Sequence, residues 1–130
     1  MQVAQEYIGE VDPRVTRMAT ALPGGTALRG GTCGILLGSL IAVGLKYGSV
    51  KREERAHCKA LGVHVHDYFQ ELTRSRFGTI NCRDISNCNF TKPEEAVAYI
   101  GSEAQHRCAG LIADTLRFFL PLLDNTQGIE

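Results

Sequence analysis

Apolar positions recur at helical spacing along almost the whole of this chain. Val3, Tyr7 and Ile8 share one face of a first short helix. Asp12-Pro13 reads as an N-cap followed by the first helical residue. Val15, Met18, Ala19 and Leu22 mark the apolar face of the helix opened there, and Pro23-Gly24-Gly25 ends it. Residues 51–75 predict a long amphipathic helix with Cys58, Leu61, Val65, Tyr68, Phe69 and Leu72 on its inner face. Residues 81–88 read as one polar helical turn and a loop. Thr91, with Glu94 three residues on, reads as a capping box for a short helix to about residue 100. Residues 103–120 predict the last long helix, with Cys108, Leu111, Ile112, Thr115, Leu116 and Phe119 facing inward. Pro121 ends or kinks that helix, and residues 125–130 read as a polar, frayed tail.

One stretch breaks the pattern. Residues 24–31 form a glycine-rich loop, after which the chain turns abruptly apolar. Thr32 is the expected cap of a helix over 33–47, with Gly48 just past its end. This helix is apolar all round, which predicts a buried, central position. Gly34 and Gly38 lie on one face of it, where they would let a neighbouring helix pack closely. No segment alternates with period two for long enough to make a strand. The expected fold is therefore all-α: a compact bundle of about five to six helices around the glycine-containing helix, in a single domain over 1–130.

Charge removes several function classes. Fourteen basic and fourteen acidic residues cancel, so the electrostatic footprint of a nucleic-acid binder is missing. The longest apolar run, residues 34–45, is about half the ~20 residues that a membrane span requires, and no export signal is visible. The expectation is a cytoplasmic protein with neither nucleic acid nor membrane as partner, and a homodimer as the default assembly for its size. The glycine loop suggests a phosphate cradle. However, Gly31-Thr32 stands where the P-loop requires Lys-Ser/Thr, and no strand precedes it.

The candidate chemistry lies in the cysteines, Cys33, Cys58, Cys82, Cys88 and Cys108. Five thiols without an export signal point to metal or redox work more than to a disulfide framework. None forms a CxxC pair. Cys58 keeps register with Leu61, Val65 and Leu72 and reads as a core residue. Cys33 sits at a helix start, where free backbone N–H groups and the helix dipole favour thiolate, and Arg29 nearby would add to this if it folds over the site. Cys82 and Cys88 flank a polar segment, and Cys108 lies near the start of its helix. These four could converge on one centre, as thiolate ligands or as a dithiol pair. Of the four histidines, His106 is the one near a candidate cysteine. Arg83-Asp84 reads as a solvated pair.

The segments GGTCGILLGSLIAVGLKYG, FGTINCRDISNCNF and HRCAGLIADT together resemble the C-GCAxxG-C-C family, from about residue 12 to residue 120. The resemblance implies an all-helical domain whose cysteines gather at one redox or metal site. Similar domains occur in split-Soret cytochromes, where the cysteines are associated with an iron–sulfur centre. This chain has no CxxCH, so the haem part does not carry over. The family's cysteines fall on Cys33, Cys82 and Cys108, and Cys88 falls on a position often occupied by cysteine. Family members usually carry a further cysteine before the equivalent of Met1. Without it, Cys88 would have to complete a set of four.

The leading expectation is a redox protein in which Cys33, Cys82, Cys88 and Cys108 hold an iron–sulfur cluster or another thiophilic metal for electron transfer or sensing, with an electron partner that the sequence does not name. The second is a thiol–disulfide oxidoreductase, with Cys33 attacking and Cys82 or Cys108 resolving. The third is a structural zinc domain or a helical interaction module with no redox role. Whether the chain is an enzyme is left open between them.

Overall fold

The computed structural model describes residues 1–124, so the predicted tail at 125–130 lies outside the described residues. Seven α-helices follow in order: α1 (Gln2–Ile8), α2 (Pro13–Met18), α3 (Gly34–Tyr47), α4 (Ala56–Phe77), α5 (Cys82–Ser86), α6 (Pro93–Tyr99) and α7 (Glu103–Leu122). The all-α expectation holds. The count exceeds five to six because the polar turn at 82–86 closes as a helix of its own. Among the described residues the only strand-like pairing is an isolated antiparallel bridge between Thr32 and Asn81.

The core forms where α3, α4 and α7 meet. On α4, Leu61, Val65, Phe69 and Thr73 recur every four residues and are buried; on α7, Leu111, Thr115 and Phe119 do the same. Burying each large apolar side chain stabilises the fold by roughly 1.5–3 kcal/mol. The two threonines are tolerated because each donates to the carbonyl four residues back, Thr73 to Phe69 O at 2.8 Å and Thr115 to Leu111 O at 2.7 Å.

Local signals explain most element ends. Asp12 caps α2 by accepting from Arg14 N–H at 2.8 Å, with Pro13 in first position. Gly9 and Gly78 end α1 and α4 in left-handed geometry. Elsewhere the structure departs from expectation. Helix α2 stops at Met18 and tightens into a 3₁₀ turn over Ala19–Ala21, leaving Met18 exposed. The helix expected from residue 51 begins at Ala56, after a separate 3₁₀ turn over Arg52–Glu54. Thr91 does not cap α6: its hydroxyl bonds Asn89 Oδ1 at 2.7 Å, and Lys92 takes the cap position. Pro121 falls so late in α7 that the helix runs one residue past it. Gly48 is extended, not left-handed; it is glycine because a Cβ would meet Gly44 O at 2.3 Å.

Helix α3 is not buried on every side. Leu36, Ser39, Ala42 and Val43 form its buried face, while Gly44 is exposed. Another side, with Gly34, Ile35 and Gly38, borders a cleft. Across that cleft stand α1 and α2, tied together by Gln5. This residue is 1% exposed; its side-chain oxygen accepts from Asp12 N–H at 2.7 Å and its amide donates to Thr16 Oγ1 at 2.9 Å.

Candidate functional site

The glycine loop is a left-handed turn. Five consecutive residues, Gly24, Gly25, Thr26, Ala27 and Leu28, have φ between +52° and +75°. For Thr26, Ala27 and Leu28 this geometry costs roughly 1–2 kcal/mol each. Backbone bonds close the turn: Gly30 N–H to Gly24 O at 2.9 Å and Gly31 N–H to Gly25 O at 2.8 Å. Gly25 has no alternative, since a Cβ there would stand 2.5 Å from Gly31 N.

The turn presents residues 30–33 to residues 80–83. Cys33 N–H donates to Ile80 O at 2.9 Å, Cys82 N–H to Gly31 O at 2.7 Å and Arg83 N–H to Gly30 O at 3.3 Å. This short ladder links Cys33, the residue before α3, to Cys82, the first residue of α5. Arg83 reinforces it: its guanidinium bonds Asn89 Oδ1 at 3.1 Å and Arg29 O at 3.4 Å, and its stem leaves no room for a side chain at Gly30. Arg83 is therefore a clamp over the loop, not half of a solvated pair with Asp84. Helix α5 packs on α7, which brings in Cys108 from that helix.

Cys33, Cys82 and Cys108 all line one cleft of about 740 Å³. Cys33 is 5% exposed. Burial pushes its thiol up to about 11, against the opposing pull of the Ile35 and Leu36 N–H groups, and the neighbouring Cys82 and Cys108 add to the rise. The expected thiolate-favouring helix start is present but outweighed by desolvation. Burial also raises Cys82, opposed by the Ser86 hydroxyl and helped by Cys108 and Cys88. Arg29 does not line the cleft.

Tyr99, at the end of α6, completes this end of the cleft. Burial first, and then its hydrogen bond with Cys108, hold its hydroxyl well above the usual phenol range. Phe90 packs edge-on against it with ring centres 5.0 Å apart. Nothing in the sequence marked Tyr99, because its link to Cys108 depends on how α6 folds back before α7.

The other candidates separate. Cys88 is buried and close enough to Cys82 and Tyr99 to act on them electrostatically, yet it does not line the cleft. Cys58 packs between α4 and α3 with its sulfur 3.9 Å from Val43 O, in keeping with its core reading. His106 is exposed and lines no part of the cleft. Among the described residues no three His, Cys, Asp or Glu side chains stand at a spacing that could hold a metal ion.

The comparison with known families decides the kinship. The family model described as "Putative redox-active protein (C_GCAxxG_C_C)" matches residues 1–121. The chain belongs to this family. No curated protein and no solved structure matches it. In this C-GCAxxG-C-C protein the glycine-loop ladder and the α5–α7 packing bring Cys33, Cys82 and Cys108 to one cleft, and Cys88 lies outside its lining. No described helix is long and apolar enough to cross a membrane.

Proposed function

We propose that this protein is a redox carrier or sensor whose centre is the thiol group of Cys33, Cys82 and Cys108, with Cys88 beside it, and that the group works by holding a thiophilic metal or an iron–sulfur cluster. The observation that carries the reading is the convergence of three thiols, drawn from a loop–helix junction, a one-turn helix and a long helix, on one cleft end. The donor chemistry fits a soft cation, because thiolates are its preferred ligands. When bound, such a centre supplies the electron-accepting chemistry. The chain's own residues hold the donors: the 30–33 ladder fixes Cys33 against Cys82, and the Ile35 and Leu36 N–H groups bond the Cys33 sulfur and favour its thiolate.

The absence of preformed ligand spacing among the described residues favours a second reading, a thiol–disulfide centre. There, two of the three thiols lose two protons and two electrons to form one disulfide. Anaerobic purification with iron, zinc and sulfide analysis separates the two. Visible absorption with stoichiometric iron and sulfide supports the metal reading, whereas stoichiometric zinc alone, which is redox-inert, points to a structural site and overturns the redox role. A colourless, metal-free protein that forms a reversible disulfide among Cys33, Cys82 and Cys108 supports the thiol reading. A colourless, metal-free protein whose thiols stay reduced under mild oxidant overturns both.

A further inference from the structure

We propose that the cleft beside the thiols is a binding site for an uncharged, apolar small molecule lying along α3 with one end against Cys33, Cys82 and Cys108. The size suits such a ligand, since about 740 Å³ falls within the ordinary range for small-molecule pockets, roughly 300–1,000 Å³. Its chemistry is more telling. Among the described residues that line it there is no Asp, Glu, Lys, Arg or His. A nucleotide, a coenzyme A thioester or a peptide with charged ends would find no side-chain counter-charge in the lining, at a heavy desolvation cost.

The hydroxyl groups on the walls are also already engaged. Ser39 donates to Ile35 O at 2.9 Å, Ser86 to Cys82 O at 2.7 Å and Thr115 to Leu111 O at 2.7 Å. Tyr99 is occupied with Cys108. Few donors remain to recognise a polar head, whereas Ile112, Leu116 and Phe90 offer apolar surface.

The glycines of α3 carry the argument further. A glycine inside a helix costs about 1 kcal/mol relative to alanine, and close helix packing was the expected reason for Gly38. The structure gives a different one. A Cβ on Gly38 would meet nothing nearer than Met1 Sδ at 3.8 Å, an ordinary contact. No neighbouring backbone presses there, and the missing side chain leaves a hollow in the cleft wall. Walls drawn from α1, α2, the loop, α3 and α7 make a trough, a shape that a small molecule fills better than the convex face of a second copy does.

Binding does not depend on which redox reading holds. That the ligand exchanges electrons with the thiols does rest on that reading. The test is a fluorescence titration of the full reduced chain with N-phenyl-1-naphthylamine, an uncharged apolar probe, alongside the anionic 8-anilinonaphthalene-1-sulfonate. The expected result is saturable binding of one uncharged probe per chain, with the anion about tenfold weaker or worse, equivalent to ~1.4 kcal/mol. Gly38→Leu, which fills the hollow, weakens the probe by a similar factor while the helical circular dichroism is unchanged. Ile112→Glu, on the exposed part of α7, does the same by placing a charge at the cleft. Iron, zinc and sulfide content and the thiol redox state are measured on the same preparations as probe binding, so failure of the redox reading leaves a signature separate from failure to bind the probe. The proposal is overturned by non-saturable binding, by equal affinity for the anion, by binding that neither variant changes, or by a dimer in sedimentation that excludes the probe from the cleft.

Discussion

Gly25→Ala tests whether the left-handed loop is what holds Cys33 against Cys82. Two costs apply. The first is conformational: at φ +75° an alanine is strained by about 1–2 kcal/mol. The second is steric. The new methyl would stand 2.5 Å from Gly31 N and 2.6 Å from Gly30 C and Gly31 O, all of them backbone atoms. Those atoms must move, and with them go the Gly31 N–H bond to Gly25 O and the Cys82 N–H bond to Gly31 O. At about 1 kcal/mol net for each hydrogen bond, the total reaches roughly 3–4 kcal/mol.

Gly78→Ala isolates the first cost. Gly78 has nearly the same φ, +74°, but nothing lies within 4 Å of the added carbon, so the expected loss is about 1–2 kcal/mol. Urea denaturation of both variants, analysed by linear extrapolation, should separate them by about 2 kcal/mol with unchanged slopes. Alkylation of native protein provides a site-specific readout. Cys33 is 5% exposed, and loosening the ladder should speed its modification in Gly25→Ala but not in Gly78→Ala. A Gly25→Ala protein no less stable than Gly78→Ala, with Cys33 equally protected, would refute the loop's assigned role.

Three further outcomes are expected. In metal-free protein, Cys33 alkylation should rise with a midpoint near pH 11. An unfolded thiol ionises from 9.0 while the folded one stays protonated, so the unfolded state binds fewer protons in that interval and stability falls between these two pH values, by ~2–3 kcal/mol in all. Denaturation at a series of pH values checks the sign. Gln5→Ala should cost about 1–3 kcal/mol, because it strands the Asp12 N–H and removes the link to Thr16; urea denaturation measures it. Cys58→Ala should cost about 1 kcal/mol of packing and leave metal content and thiol redox behaviour as they are, whereas Cys108→Ala should abolish metal binding where the wild-type protein shows it, and should abolish the disulfide where Cys108 is the resolving thiol.

The long helices were legible because their inner faces repeat every three to four residues with few exceptions. Leu61, Val65 and Phe69 on α4, and Leu111, Thr115 and Phe119 on α7, are buried as the spacing predicts. What periodicity could not reach were contacts that run across elements. Gln5 is polar and buried because two partners brought by α2 satisfy its amide, and its own helix carries no sign of that. The left-handed run was half legible. Gly24 and Gly25 advertise positive φ, but Thr26, Ala27 and Leu28 adopt it only because bonds from Gly30 and Gly31 close the turn around them. The family resemblance implied a site of four cysteines; Cys33, Cys82 and Cys108 line one cleft, and Cys88 does not. The ladder that links Cys33 to Cys82, between residues 30–33 and 80–83, has no signature in either segment alone.

Cys33 shows why a local rule can hold and still give the wrong sign. The helix start is real, and the Ile35 and Leu36 N–H groups do pull the thiol down. A helix terminus contributes about 0.3–1 kcal/mol when exposed and up to ~2 kcal/mol when partly buried. The net shift from 9.0 to about 11 corresponds to ~3 kcal/mol in the opposite direction, so desolvation, helped by the neighbouring Cys82 and Cys108, must exceed the helix-start effect by that margin. The cleft supplies no lysine, arginine or histidine to offset it among its described lining residues. A thiol in this position is therefore a poor nucleophile by itself; under the proposed metal reading, a soft cation would supply the missing counter-charge. The same burial weakens the attacking-thiolate role of Cys33. Loading the protein with zinc should protect Cys33 from alkylation even at pH 11; alkylation there at the metal-free rate would shift the balance back to thiol–disulfide chemistry.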